Sequence, residues 1–235
     1  MIPATIKPRV HFPRGTVLRA TIATFTLLVG ATLSGCGTLG ALVGGMAESY
    51  KRSTPRTVEA DSTILQGKSF AVLVTADRMI ESQHPGIASE LIGRISERLR
   101  ENAGASGYVP PMVVIQYIAN NPAWITRTHS EIAKQLDGVQ RLIIIEVTEF
   151  STNEAGNQYV WDGVASATLG VAEIDGPLPD DFAYQKSIRV KFPDKGVTTS
   201  SEMSRELIVG ALLARLVDRA TWLFYKHEEP HYITY

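Results

Sequence analysis

The sequence predicts a single α/β domain, a mixed sheet of about five strands with packed helices and a long C-terminal helix. Three observations predict it. Apolar runs of strand length alternate with segments of helical period up to Phe150; two consecutive strands follow; a long amphipathic stretch closes the chain.

Order begins at Lys68–Thr75, "KSFAVLVT", a short apolar run suited to a buried strand. In "PGIASELIGRISERLREN", Ile87, Leu91, Ile92, Ile95 and Leu99 recur at helical spacing, after a proline and before Gly104 and Gly107. Met112–Ile118, "MVVIQYI", reads as a second strand approached through Pro110-Pro111, which cannot donate to a ladder. "NNPAW" is a turn, and a short helix around Ser130–Leu136 ends at Gly138. Arg141–Phe150, "RLIIIEVTEF", carries the uninterrupted run Leu142–Ile145, so it is expected at the centre of the sheet, buried on both faces. "YVWDGVASATLGVAEI" and "FAYQKSIRVKF" are the consecutive strands. In the latter, Phe182, Tyr184, Ile188, Val190 and Phe192 alternate with Gln185, Ser187, Arg189 and Lys191, which places one face on a core and the other in water. Thr199 and Glu202 form a capping box before a helix expected from Ser201 to about His227, with Met203, Leu207, Leu212, Leu216, Ala220 and Leu223 on its apolar side.

Ahead of the domain lies "LSGCGTLG", Leu33–Gly40, which fits two incompatible patterns. Gly35-Cys36-Gly37-Thr38-Leu39-Gly40 matches the GxGxxG turn that presents a helix N-terminus to a dinucleotide pyrophosphate. That chemistry needs a good helix after the third glycine, and "GALVGGMA" carries three glycines, each costing about 0.8–1.0 kcal/mol against alanine. The flanks point elsewhere. Lys7, Arg9, Arg14 and Arg19 are the only Lys or Arg residues before the motif, no acidic residue precedes it, and the uncharged stretch "ATIATFTLLVGATLSG" leads to a cysteine among small residues. Leu33-Ser34-Gly35-Cys36 resembles the lipobox of bacterial lipoproteins. The resemblance implies cleavage between Gly35 and Cys36 and fatty acylation of Cys36, the only cysteine, which therefore has no internal disulfide partner. The expected organisation is a signal peptide over 1–35, a lipidated N-terminus and tether over 36–66, and a periplasmic α/β domain over 67–235. An uncleaved transmembrane anchor over Ala20–Ala47, which contains no charge and includes the GxxxG run Gly40–Gly44, is the alternative. Both readings send the rest of the chain across the membrane, because the basic residues stay in the cytoplasm. Gly37, where lipoproteins retained at the enterobacterial inner membrane tend to carry Asp, favours the outer membrane.

Loss of residues 1–35 removes four basic residues and no acidic ones, taking the net charge from −1 to −5. No strong basic field remains to attract nucleic acid. The cluster Lys51, Arg52 and Arg56 reads as a solvated part of the tether.

The order "KSFAVLV", "ERLREN", "GYVPP", "EIAKQL", "DGVQRLIIIEV", then two antiparallel strands and a C-terminal helix resembles a group of bacterial envelope lipoproteins. These are the periplasmic parts of curli secretion-channel lipoproteins, penicillin-binding-protein activators and related small lipoproteins. The resemblance covers roughly residues 68–227 and implies a partner-binding domain that is not an enzyme and holds no cofactor. The partners it implies are the lipid membrane, through Cys36, and an envelope protein. A subunit role in an oligomeric secretion or transport-associated complex is the alternative. A membrane-inserted hairpin over 159–192 conflicts with Arg189 and Lys191 unless that face lines water.

Candidate chemistry is sparse. "HEEPH", His227–His231, matches the zinc-protease pattern HExxH, which requires both histidines on one face of a continuous helix. Pro230 forbids that helix, so the segment is expected to be a fraying helix end with histidines near its negative pole. Asp175, Asp180 and Asp181 flank a Gly/Pro loop but match no calcium-binding spacing and read as solvated. Glu146 and Glu149 are an odd number apart, which on a regular strand sends them to opposite faces and disqualifies them as a carboxylate pair. His84 and His129 read as structural, and no GxSxG or P-loop occurs. Trp124 and the tail residues Tyr232 and Tyr235 are candidate partner contacts, since exposed aromatic residues anchor interfaces. The alternative folds Trp124 back over the sheet edge and packs the tail as an extra strand.

Overall fold

The structure is a computed structural model that describes residues 55–153, 156–157, 159–194, 198–199 and 201–229. Cys36, Gly35, the Ala20–Ala47 stretch, His231, Tyr232 and Tyr235 lie outside the described residues.

Five strands form the main sheet in the order β3-β2-β4-β6-β7. They are β2 (Ser69–Ala76), β3 (Gly107–Tyr108), β4 (Arg141–Ser151), β6 (Gly163–Glu173) and β7 (Phe182–Phe192). β2 runs parallel to β3 and β4, whereas β6 and β7 are antiparallel to their neighbours, so the sheet is mixed as expected. β4 sits at its centre, and Leu142, Ile143 and Ile145 are buried. Two ribbons flank the sheet. β1 (Arg56–Val58) pairs with β9 (His227–Glu229), and β5 (Val160–Trp161) pairs with β8 (Thr198–Thr199).

Cross-strand register fixes what each face carries. Val72, Val74, Ile143, Ile145, Leu169, Val171, Ile188 and Val190 share one face and are all buried. α2 (Ile87–Asn102) and α5 (Arg205–Trp222) pack side by side on that face. Their apolar stripes, Leu91, Ile92, Ile95 and Leu99 from α2 and Ile208, Leu212 and Leu216 from α5, complete the core. α1 (Arg78–Gln83) is a short helix capped by Asp77, whose carboxylate accepts from the Met79 amide at 2.8 Å.

Three expectations are corrected. Residues 112–118 are not a strand but most of α3 (Pro111–Asn120), which packs on α2 and β2. Pro111 occupies the first helical position, where its missing amide costs nothing. α5 begins at Arg205 rather than Ser201. Ser204 is its N-cap, and although the Glu202 carboxylate does reach back to the Thr199 amide at 3.0 Å, Thr199 belongs to β8. The folded unit also starts earlier than residue 67. Arg56–Val58 is paired and Leu65 is fully buried, so residues 55–66 belong to the folded unit rather than to a tether.

Candidate functional site

Two regions concentrate polar groups. On the second face of the sheet, Ala71, Leu73, Leu142 and Ala172 are buried at one end, where α4 (His129–Gln135) packs against β4. At the other end nothing among the described residues covers it. Glu146, Thr148, Gln185, Ser187, Arg189 and Lys191 are exposed there, with Thr75, Glu149, Ser166 and Thr168 half-buried beside them.

A β-bulge builds this surface and overturns the expectation for the two glutamates. Pairing runs regularly to Val147↔Ala167, then resumes at Glu149↔Ser166 with Thr148 as the extra residue. Glu146 opposes Thr168 and Glu149 opposes Ser166, so both carboxylates project from the same face. The bulge also turns Phe150, opposite Ala165, into the core, where His84 meets its ring edge-on at 4.7 Å. Glu149 is engaged. Its Oε2 accepts from Ser166 Oγ at 2.9 Å and from Arg189 Nη1 at 2.8 Å, which makes a hydrogen-bonded row across β4, β6 and β7.

The second region surrounds β9. His227 and Glu229, two apart on a strand, share a side while Glu228 points to solvent. The described part of HEEPH is thus a strand, not a fraying helix end, and the glutamate that would activate water faces away from His227. Glu229 is 2% exposed and accepts from Arg56 Nη2 at 2.8 Å, Arg219 Nη1 at 2.9 Å and His227 Nε2 at 3.1 Å. Burial pushes its carboxyl up, but the bonds from Arg56 and His227 and the arginine charges outweigh burial and hold it below the usual carboxylate range. The His227 ring stacks on Trp222, centroids 4.5 Å apart and planes 6° from parallel. Nearby, burial pushes Asp218 up despite its ion pair with Arg98.

A cavity of about 210 Å³ beside this cluster is lined by Val58, Glu59, Asp61, Lys186, Arg219, Trp222, Leu223, His227 and Glu229. An open groove of about 380 Å³ along β7 shares Lys186, Arg219 and Leu223 with it. On the wall of the cavity, Asp61 Oδ2 accepts from Tyr184 Oη at 2.6 Å and Lys186 Nζ at 3.0 Å; these bonds hold its carboxyl below the usual carboxylate range, while burial, with the bond to Asp61, pushes the Tyr184 hydroxyl up.

The remaining candidates have structural partners. Trp124 opens a single 3-10 turn and is 5% exposed, so it folds back into the core and is lost as an exposed anchor. Asp175 binds Lys68, Gln140 and Arg141, and Asp180 accepts from the Ser130 amide at 2.9 Å and hydroxyl at 2.6 Å. Among the described residues no group of three or more His, Cys, Asp or Glu side chains is placed to hold a metal. His129 lies 4.7 Å from the Phe182 ring, and burial pulls its pKa down against the opposing charges of Asp180 and Asp181. Burial lowers that of His84 too, with Arg205 adding to the effect.

No family model matches the chain, and no curated protein matches it in sequence. Solved structures similar to it include the lipoprotein GNA1162 from Neisseria meningitidis, 18% identical, covering 65% of this chain and 96% of that one with a TM-score of 0.42. The PelC dodecamer from Paraburkholderia phytofirmans is 12% identical over 74% of this chain and 99% of that one, TM-score 0.42. Protein XCC0632 of Xanthomonas campestris, described with family DUF330, is 11% identical over 72% and 90%, TM-score 0.39. At these scores no site or activity transfers from them. No helix among the described residues is long and apolar enough to cross a membrane.

Proposed function

We propose that this chain is a lipid-anchored protein of the bacterial cell envelope whose α/β unit binds another envelope component without catalysing a reaction. The observation that carries the reading is the basic-then-apolar leader running into Leu33-Ser34-Gly35-Cys36. Cleavage before Cys36 and acylation there leave 19 residues, 36–54, before Pro55. At about 3.4 Å per residue they span roughly 65 Å when fully extended, enough to hold the unit well clear of a bilayer. Several acyl chains give the stable attachment that a single chain does not. Gly37 favours the outer membrane, and the binding role is the one that the resemblance to curli-channel and activator lipoproteins implies.

The contact surface of this reading is the half of the sheet that nothing among the described residues covers. It is polar and internally braced through Glu149, Ser166 and Arg189, which suits a macromolecular partner better than a small molecule enclosed in a cleft. Photocrosslinkers placed at Thr148, Thr168 and Ser187 in the native host test it. Capture of one discrete envelope protein from these positions, and not from Arg94 on the outer side of α2, supports the reading. Equal capture from both sides overturns it. Cys36→Ser should release the protein from the membrane fraction, and unchanged fractionation would remove the anchor from the account.

A further inference from the structure

We infer that the partner of the polar half of the sheet is a second copy of this chain, stacked face to face about a two-fold axis that runs along β6. The inference rests on the reading of that half as the contact surface and names what meets it. Register sorts its charges into two stripes. Glu146 and Glu149 stand on β4, opposite Thr168 and Ser166 of β6. Arg189 stands on β7 opposite the same Ser166, and Lys191 lies two residues further along β7 on the same face. The acidic and basic stripes are therefore two strand spacings apart, about 10 Å, with the hydroxyls of Ser166 and Thr168 between them. Glu149 and Arg189 share a hydrogen bond at 2.8 Å, whereas Glu146 and Lys191 are exposed and enter no ion pair among the described residues.

The symmetry follows from the stripes. A two-fold axis along β6 lays β4 of one copy over β7 of the other, so each acidic stripe meets a basic one, twice over, as a closed isologous contact requires. β6 lies over its own counterpart, where Ser166 and Thr168 present neutral groups to themselves. An axis across the strands would instead stack β4 on β4 and β7 on β7, bringing like charges together. Pairing edge to edge is also disfavoured, because Lys186, Arg189 and Lys191 on β7 would then meet the same cations of the other copy. Rotation about an axis leaves every residue at the same height along it. Pro55 is therefore level in the two copies, and both stretches 36–54 can reach one membrane, where confinement raises the effective concentration of a weak polar contact.

A photocrosslinker at Thr168 of the full chain in its native host, followed by mass spectrometry of the adduct, tests the inference. The adduct should join two copies of this chain. One variant with Glu146→Lys and Glu149→Lys makes both stripes basic, and another with Arg189→Glu and Lys191→Glu makes both acidic. Each variant alone should lose roughly tenfold or more of the adduct through like-charge repulsion, and the two expressed together should regain it as a mixed pair. Damage to the fold of either variant would not be repaired by mixing, so the recovery reports contact between copies. An adduct with a different envelope protein overturns the inference and leaves the contact surface standing. Absence of any adduct from Thr148, Thr168 and Ser187 overturns both. A self-adduct that persists in each variant alone, or that mixing fails to restore, also overturns the stacked pair.

Discussion

Replacing Glu229 with Gln removes one charge and almost no volume from the best-buried ion-pair cluster among the described residues. The carboxylate side chain is 3% exposed and accepts three bonds, from Arg56 at 56% side-chain exposure, Arg219 at 28% and His227 at 6%. The Arg56 bond is largely solvated and contributes about 0.2–1 kcal/mol. Hydrogen bonds to a charged group contribute about 1.5–3 kcal/mol when buried. Glutamine retains one acceptor oxygen for Arg219 or His227, and Arg219 keeps some hydration, so the net loss should be about 2 kcal/mol at pH 7. Linkage adds a second expectation. The carboxyl of Glu229 sits below its ordinary value of 4.5, so its contribution is complete above that value and disappears as pH falls through the folded-state value. Urea unfolding followed by tryptophan fluorescence should therefore show a clear gap between the two proteins at pH 7 that narrows on acidification below 4.5. A gap under about 0.5 kcal/mol at pH 7, or one unchanged in acid, would refute the assignment of Glu229 as a stabilising buried anion.

Gly163→Ala should destabilise by about 1–3 kcal/mol in thermal unfolding, because its Cβ would lie 2.6 Å from the Phe192 carbonyl oxygen and 3.0 Å from Leu212. Gly170→Ala meets the Phe182 ring at 2.6 Å, but that side chain is 40% exposed and can swing aside; the cost should be smaller, with loss of the His129–Phe182 contact in side-chain NMR spectra. His129→Asn should reduce, not abolish, the loss of stability between neutrality and pH 5 in urea unfolding, since burial holds both His129 and His84 neutral in the folded protein and each costs stability as pH falls through 6.5.

The periodic signals carried the sheet. Arg141–Ser151 lies centrally because its run of four branched residues is suited to burial on both faces, and Tyr184–Phe192 alternates as expected, whereas a second bulge at Val171/Ala172 puts Phe182 on the opposite face from Tyr184. The short apolar run Met112–Ile118 fits either a strand or a buried helix; there Pro111 was the deciding residue, since at a helix start its missing amide is harmless. Two-residue and three-residue pairings such as β1 with β9 leave no period to read, which hid both the true start of the folded unit and the cluster around Glu229. The shared face of Glu146 and Glu149 was hidden for another reason. A bulge adds one residue without a marker in local composition, and strand parity then gives the wrong side. The HExxH spacing masks Glu229, because its pairing with His227 shows only once the segment is a strand, on which residues two apart share a side.

We propose that lipid on Cys36 holds the chain to a membrane. Mass spectrometry of the protein taken from the membranes of its native host tests it most directly. The account predicts an N-terminal peptide that begins at Cys36 and carries the mass of a diacylglycerol with a further acyl group. A peptide that retains residues 1–35 with an unmodified thiol would contradict it.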